Sequence, residues 1–296
     1  MKRLLIVGGV LSAFAMSACS GSDVSSPASL QLTASDTLQA VVLSASDATA
    51  EDVDVMSAAE ATMDASTSTS SMYDLMQAGS GTISTSTSPS ASDSTRFAFW
   101  GFSGGCAFSA ATGRFACPDV VKNGLTLSRS AAFTDANGAA MSHYNDTTTA
   151  TANFQLSVTG VHPTLLGADT LSRQRNMTAS GLLGHETSRT WNGTGSRTDA
   201  GYALDSLKTR TYHTQDATTF TNVVVKLPRS LNPWPMSGTV TRQISGSGSV
   251  VKDGTTKAFT MSKVVTITFN GTRLVPMSIG GVAFTLDLYT GKATRA

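Results

Sequence analysis

Residues 170–180 read Thr-Leu-Ser-Arg-Gln-Arg-Asn-Met-Thr-Ala-Ser. Successive side chains of a β-strand point to opposite faces, so this stretch divides into two sets. One set combines apolar residues and cations, namely Leu171, Arg173, Arg175 and Met177, whereas the other set contains only Ser, Thr, Asn and Gln. The stretch therefore predicts a strand with cations on its apolar face and an uncharged polar face opposite.

The same alternation with period two recurs from Arg96 to the end of the chain, between short segments rich in Gly, Asn and Asp. Strands that follow one another without helical crossovers favour antiparallel pairing of sequence neighbours. We therefore expect an all-β domain over residues 96–296. It should be a single antiparallel meander sheet, strongly curved or barrel-like.

Cations occupy mid-strand positions on the apolar face of several predicted strands. The set comprises Arg129, Arg173, Arg175, Lys208, Arg210, Arg242 and Lys263. A charge buried without a partner is costly, so cations at these positions need a counterion or access to water. In one interpretation, an acidic N-terminal segment of the same chain lies against this face.

The same face has two alternative interpretations. It lines a cleft for an amphipathic anion such as a lipid, a glycolipid or a fatty acid, with the seven cations as ligand-binding residues. Alternatively, the Lys and Arg stems cover apolar surface at a wet rim.

The N-terminal third of the chain differs in charge from the rest. Residues 20–95 contain ten carboxylates and no Lys or Arg, whereas residues 96–296 contain nineteen Lys and Arg against ten acids. We interpret residues 19–95 as an acidic tether rich in Ser, Thr and Ala, disordered except for a short helix near residues 49–65. Val53, Met56 and Met63 form the apolar stripe of that helix.

The first nineteen residues carry an export pattern. Lys2 and Arg3 precede an apolar run from Leu4 to Ala15, and Met16-Ser17-Ala18-Cys19 follows. This stretch resembles the lipoprotein signal peptides of bacteria, although that family usually has leucine where this chain has Met16. The resemblance implies that residues 1–18 are removed and that Cys19 is lipidated.

The resemblance also implies a location in the bacterial cell envelope, with the lipid anchor holding the chain at a membrane. Ser20 is compatible with the outer membrane, because aspartate at that position is the usual inner-membrane retention signal. An exported chain reaches a compartment that permits disulfides, and only Cys106 and Cys117 follow Cys19. We predict that these two cysteines are bonded.

The spacing of the two cysteines predicts a particular hairpin. A turn centred on residues 111 and 112, with Gly113 at positive φ, places Cys106 opposite Cys117 and Phe108 opposite Phe115. The disulfide therefore has a structural role in this interpretation.

No motif with a specific chemistry is present. Gly101-Phe102-Ser103-Gly104-Gly105 matches the nucleophile pattern of α/β hydrolases, but a hairpin follows it instead of a helix. We predict no catalytic residue, no metal, no cofactor and no nucleic-acid partner. The expected role is non-enzymatic binding of an amphipathic or anionic envelope ligand.

One alternative is a structural or adhesive surface lipoprotein with a filled interior, which uses the Ser/Thr face for contact. A hydrolase is a further alternative, and it would need a His close to a Ser, Asp or Glu.

Overall fold

The computed structural model describes residues 34–68, 105–122, 124–164, 167–184, 186–205, 208–252 and 254–296. The predicted signal peptide, Cys19 and residues 101–104 of the hydrolase-like motif lie outside the described residues. The described chain contains one helix and fourteen strands. Helix α1 is Ala34–Ser68.

The strands follow the helix in chain order. They are β1 Ala107–Ser109, β2 Arg114–Ala116, β3 Val120–Lys122, β4 Leu125–Thr134, β5 Ala140–Met141, β6 Thr151–Thr164, β7 Gly167–Ser180, β8 Ser188–Asp205, β9 Lys208–Lys226, β10 Ser237–Lys252, β11 Thr255–Thr268, β12 Leu274–Ile279, β13 Val282–Asp287 and β14 Lys292–Arg295.

All fourteen strands belong to one antiparallel sheet. Its order is β1-β2-β4-β6-β7-β8-β9-β10-β11-β12-β13-β14, and β3 and β5 both pair with β4. The prediction of an all-β antiparallel meander is confirmed. The sheet is not closed into a barrel, since β1 and β14 stand at opposite ends of the order.

The strand register shows which residues share a face. Directly paired residues in an antiparallel sheet lie on the same side. One cross-strand row runs from β4 to β11 through Arg129, Leu156, Arg175, Gly195, Thr218, Arg242 and Val265. We call the side of the sheet that carries this row the inner face and the opposite side the outer face. Cations and apolar residues therefore do share one face.

Helix α1 is longer than the sequence pattern predicts, and residues 34–48 belong to it rather than to a tether. Every residue from 51 to 60 is buried, which means that the helix is covered on all sides. A fully covered helix needs no apolar stripe, so its N-terminal half lacks the periodic signal that indicates an amphipathic helix. Its apolar side chains, including Val41, Met56 and Met63, join the same core as the inner face of the sheet.

A hairpin that the sequence pattern does not reveal lies between β8 and β9. The alternation of Tyr202, Leu204, Lys208 and Arg210 in the sequence is typical of one continuous strand with these residues on one side. In the structure, however, Asp205 pairs with Lys208, so the chain reverses between them. Tyr202 pairs with Thr211, and Ala203 pairs with Arg210. The register therefore assigns positions 202 and 204 to the outer face and positions 208 and 210 to the inner face.

The disulfide hairpin agrees with its prediction. Cys106 and Cys117 are bonded, and Phe108 pairs with Phe115 with ring centroids 5.1 Å apart. Gly113 has φ of 63°, a conformation that favours glycine and lets the chain reverse.

Candidate functional site

The centre of the inner face is an ion cluster around Asp52 of the helix. Arg175 donates from Nε to Asp52 Oδ1 at 2.6 Å, and Arg242 donates from Nη2 to Asp52 Oδ2. Arg242 also donates from Nη1 to Asp216 at 2.5 Å and to Thr218 at 2.8 Å. The Arg242 side chain is fully buried and the Asp52 side chain is 1% exposed, so the cluster is removed from water.

A second pair lies beside this cluster. Arg173 donates from Nη1 to Glu51 Oε2 at 2.7 Å. Glu51 and Asp52 are consecutive, and the arginines that they contact are two positions apart on β7. Because alternate residues of a strand share a face, one strand presents both guanidinium groups to one turn of the helix.

The C-terminal half of the helix makes a third contact with the sheet. Glu60 accepts from Arg189 Nη1 and from the Trp191 indole N–H, both at 2.7 Å. Arg229, from the loop between β9 and β10, donates to the Ser57 hydroxyl at 2.8 Å. The helix is thus held by side-chain hydrogen bonds along its buried length, from Thr49, which accepts from Arg242 at 3.3 Å, to Glu60.

The electrostatic environment shifts the pKa values of the paired groups. Burial raises the pKa of Glu51, but Arg173, Arg175 and Arg197 outweigh it, and the pKa falls from 4.5 to about 2. Burial is also the largest influence on Asp52 and raises its pKa, while Arg175 and Arg242 oppose that rise. For Arg175, burial lowers the pKa, but the attraction of Asp52 and Glu51 outweighs burial, so the net shift of the pKa is upward.

A glycine in the middle of β8 makes room for this cluster. A Cβ on Gly195 would lie 2.7 Å from Cδ of Arg175. Glycine weakens a strand interior, so a mid-strand glycine often marks a close approach of another group. Here that group is the arginine that contacts Asp52.

The structure brings together only some of the predicted ligand-binding residues. Arg173, Arg175 and Arg242 are bonded to helix carboxylates. Arg129 is buried in the same cross-strand row and donates to the Pro118 carbonyl oxygen at 3.4 Å. Lys263 is exposed.

The remaining two predicted residues are placed only by their backbones. Register assigns Lys208 and Arg210 to the inner face, and their side chains lie outside the described residues. Ligand binding by the set of seven stays a prediction.

Several residues of the ion clusters were not among the predicted site residues. Arg189 also contacts Glu186 at 2.7 Å, and Arg197 lies on the inner face with Asp199. The sequence contains an indication for each of them. Arg189 and Trp191 are two positions apart, so in a strand they share a face. If the strand is extended past residue 194, the same alternation places Arg197 on that face.

The outer face has a different character, and two contiguous grooves cross it. Their volumes are about 560 and 460 Å³, and Ser196 lines both. A cross-strand row follows them from β4 to β10 through Ser128, Ser157, Gln174, Ser196, Ala217 and Gln243. No described helix residue lines either groove.

The grooves carry no charge on their outward side chains in the described chain. The cross-strand rows on either side, from Ser130 to Thr241 and from Thr126 to Ser245, contain only Ser, Thr, Asn and Gln. Four charged residues also line the grooves, and the register assigns all of them to the inner face: Arg129, Arg175, Arg197 and Asp216.

Membrane-spanning helices and metal sites do not occur in the part of the chain that the structure describes. Helix α1 is not apolar enough over its length to cross a membrane. The described residues also contain no group of three or more His, Cys, Asp or Glu side chains that could hold a metal ion.

The chain was compared with protein-family models, with curated proteins and with solved structures, and none of them matches it.

Proposed function

We propose that the chain is a non-enzymatic, lipid-anchored protein of the bacterial cell envelope that uses its outer face for contact. In this proposal the inner face is an internal interface, and helix α1 completes the core. In this proposal the sheet curves around the helix, which is the barrel-like form that the sequence predicts. The anchor is Cys19, through the resemblance of residues 1–19 to lipoprotein signal peptides.

The observation that carries the proposal is the occupancy of the inner face by helix carboxylates. An anionic ligand at Arg173, Arg175 and Arg242 would have to displace Glu51 and Asp52, which contact these arginines at buried positions. Breaking buried ion pairs is expensive. The geometry therefore favours a filled interior over an anion-binding cleft.

Phase separation in Triton X-114 tests the anchor. The full chain is expressed in a bacterium beside a Cys19→Ala variant, and both cultures receive a radiolabelled fatty acid. We expect the wild-type chain to carry the label and enter the detergent phase, because two or three acyl chains bind a micelle stably. The variant should remain unlabelled. A wild-type chain that stays unlabelled in the aqueous phase would overturn the lipid anchor.

Native mass spectrometry of the same purified chain tests the filled interior. We expect the mass of the acylated polypeptide with no further lipid or fatty acid. A stoichiometric anionic lipid that survives purification and is lost in an Arg175→Met variant would overturn the proposal in favour of the anion-binding cleft.

A further inference from the structure

The grooves of the outer face form one continuous path across the sheet. They share Ser196 and cross seven strands, β4 and β6 to β11. Neighbouring strands lie about 4.8 Å apart, so the path is roughly 29 Å long. Such a path accommodates an extended chain laid across the strands rather than a single small molecule.

The chemistry of this path is uniform. Its outward side chains are hydroxyls and carboxamides, and Ala217 is the sole outward apolar residue among its described lining. Hydroxyl and carboxamide groups both donate and accept hydrogen bonds. Removing them from water costs far less than removing a charge.

Several of these groups are available to a ligand. The side chains of Gln174, Gln215 and Gln243 are exposed, and among the described residues none of them takes part in an intramolecular hydrogen bond. At one edge of the path, Arg114 donates to Ser130 and to Asn153. The Arg114 guanidinium is the charge on the outer face that lies nearest the path in the described chain, and it already donates hydrogen bonds within the chain.

The same composition argues against partners of a different chemistry. Nucleic acids and anionic lipid surfaces are bound through Lys and Arg, which the described path lacks on its outward side. Lipid tails and amphipathic helices need an apolar groove. A chain of uncharged hydroxyl groups matches the path in both charge and hydrogen-bonding character.

We infer that the outer grooves bind an uncharged polyhydroxylated chain, a neutral glycan, laid across strands β4 to β11. This inference rests on the proposed function, in which the outer face is the contact surface. It identifies the chemical class of the partner. Because neither side carries a charge, the interaction depends on hydrogen bonds and shape rather than on ion pairs.

Affinity electrophoresis of the full chain tests the inference. The gels contain a panel of uncharged polysaccharides, namely dextran, amylose, galactomannan and glucomannan, and parallel gels contain carboxymethyl-dextran and dextran sulfate. We expect retardation by at least one uncharged polymer, with an apparent Kd that changes by less than about twofold between roughly 0.05 and 0.5 M NaCl.

A double substitution, Gln174→Ala with Gln243→Ala, removes hydrogen-bonding groups from the path. It should weaken binding at least tenfold, and Gln215→Ala should weaken it less. Thr268→Ala, an exposed residue on the outer face beyond the grooves, is the matched control and should leave the Kd unchanged. Circular dichroism verifies that each variant is folded.

Three results would overturn the inference. They are no retardation by any uncharged polymer, retardation only by the charged polymers with strong salt dependence, and equal binding by the double variant. Concentration-dependent self-association that the double variant abolishes would also overturn it, by assigning the path to a second copy of this chain. Detergent partitioning is measured separately, so failure of the lipid anchor is distinguishable from failure of glycan binding.

Discussion

At the residue scale, Asp52 joins two strands of the sheet to the helix, because each of its oxygens accepts from a different arginine. Asp52→Asn would place an amide N–H₂ against one guanidinium, donor facing donor. Breaking a buried ion pair by removing one partner costs about 3 to 5 kcal/mol. We expect Asp52→Asn to lower the free energy of unfolding by about that amount in urea denaturation.

The control for this substitution is Asp146→Asn, at an exposed position. It should change the free energy of unfolding by less than about 0.5 kcal/mol. If the two substitutions have equal effects, the cluster around Asp52 contributes nothing to stability beyond an ordinary surface charge.

The lowered pKa of Glu51 predicts how the stability of the fold changes with pH. Its pKa is about 2 in the folded chain against an ordinary value of 4.5. A carboxyl whose pKa is lowered by folding stabilises the fold above its unfolded pKa, and this contribution disappears as the pH falls through the folded pKa. A shift of this size corresponds to roughly 3 kcal/mol.

Measuring the free energy of unfolding of wild type and of Glu51→Gln over a range of pH isolates the contribution of Glu51. The other titratable groups are common to both chains, including Asp52, whose pKa shifts in the opposite direction. The stability difference between wild type and variant should be full above about pH 5. It should decline steadily between pH 4.5 and about 2. A difference that stays constant over that range would show that Glu51 has the same pKa in both states.

At the element scale, the strands and their faces could be predicted from local patterns. The alternation around Arg173 and Arg175 placed the cations correctly, and the loop length between the cysteines predicted the pairing of Phe108 with Phe115. The reversal between Asp205 and Lys208 could not be found, because the sequence there lacks the Gly, Asn or Pro that marks most hairpins. The full length of the helix was missed because a helix covered on all sides shows no amphipathic period.

Gly195 connects these elements and leads to a prediction about the sheet. The Cβ of Gly195→Ala would press on Arg175, which its bond to Asp52 prevents from moving away. Overpacking of this kind costs about 1 to 3 kcal/mol. Thermal and urea denaturation should show that loss in Gly195→Ala.

The control repeats Gly195→Ala in a chain that also carries Arg175→Ala. In that chain no arginine side chain occupies the space that the new methyl group needs. There the same substitution should cost much less, so a double-mutant cycle should give a coupling energy of at least about 1 kcal/mol. Equal costs in both backgrounds would mean that Gly195 is needed for the strand itself and not for the arginine.

At the scale of the whole molecule, the helix and the sheet are complementary in charge and neither is complete alone. Without the helix, the inner face would expose arginines among apolar side chains. Without the sheet, the helix would carry Glu51, Asp52, Asp54 and Glu60 with no cation on its own length. Because each part satisfies the other, we expect one cooperative unfolding transition for both.

Trp191 provides the probe for this last prediction. Its indole is fully buried and donates to Glu60, so its fluorescence reports the contact between helix and sheet. In a background with Trp100→Phe and Trp234→Phe, the fluorescence transition in urea should coincide with the circular dichroism transition, as a two-state process requires. If the fluorescence changes at lower urea while the sheet signal persists, the helix detaches from a sheet that is stable without it. The inner face would then be accessible to an anionic ligand, and the filled interior would no longer distinguish the two functions.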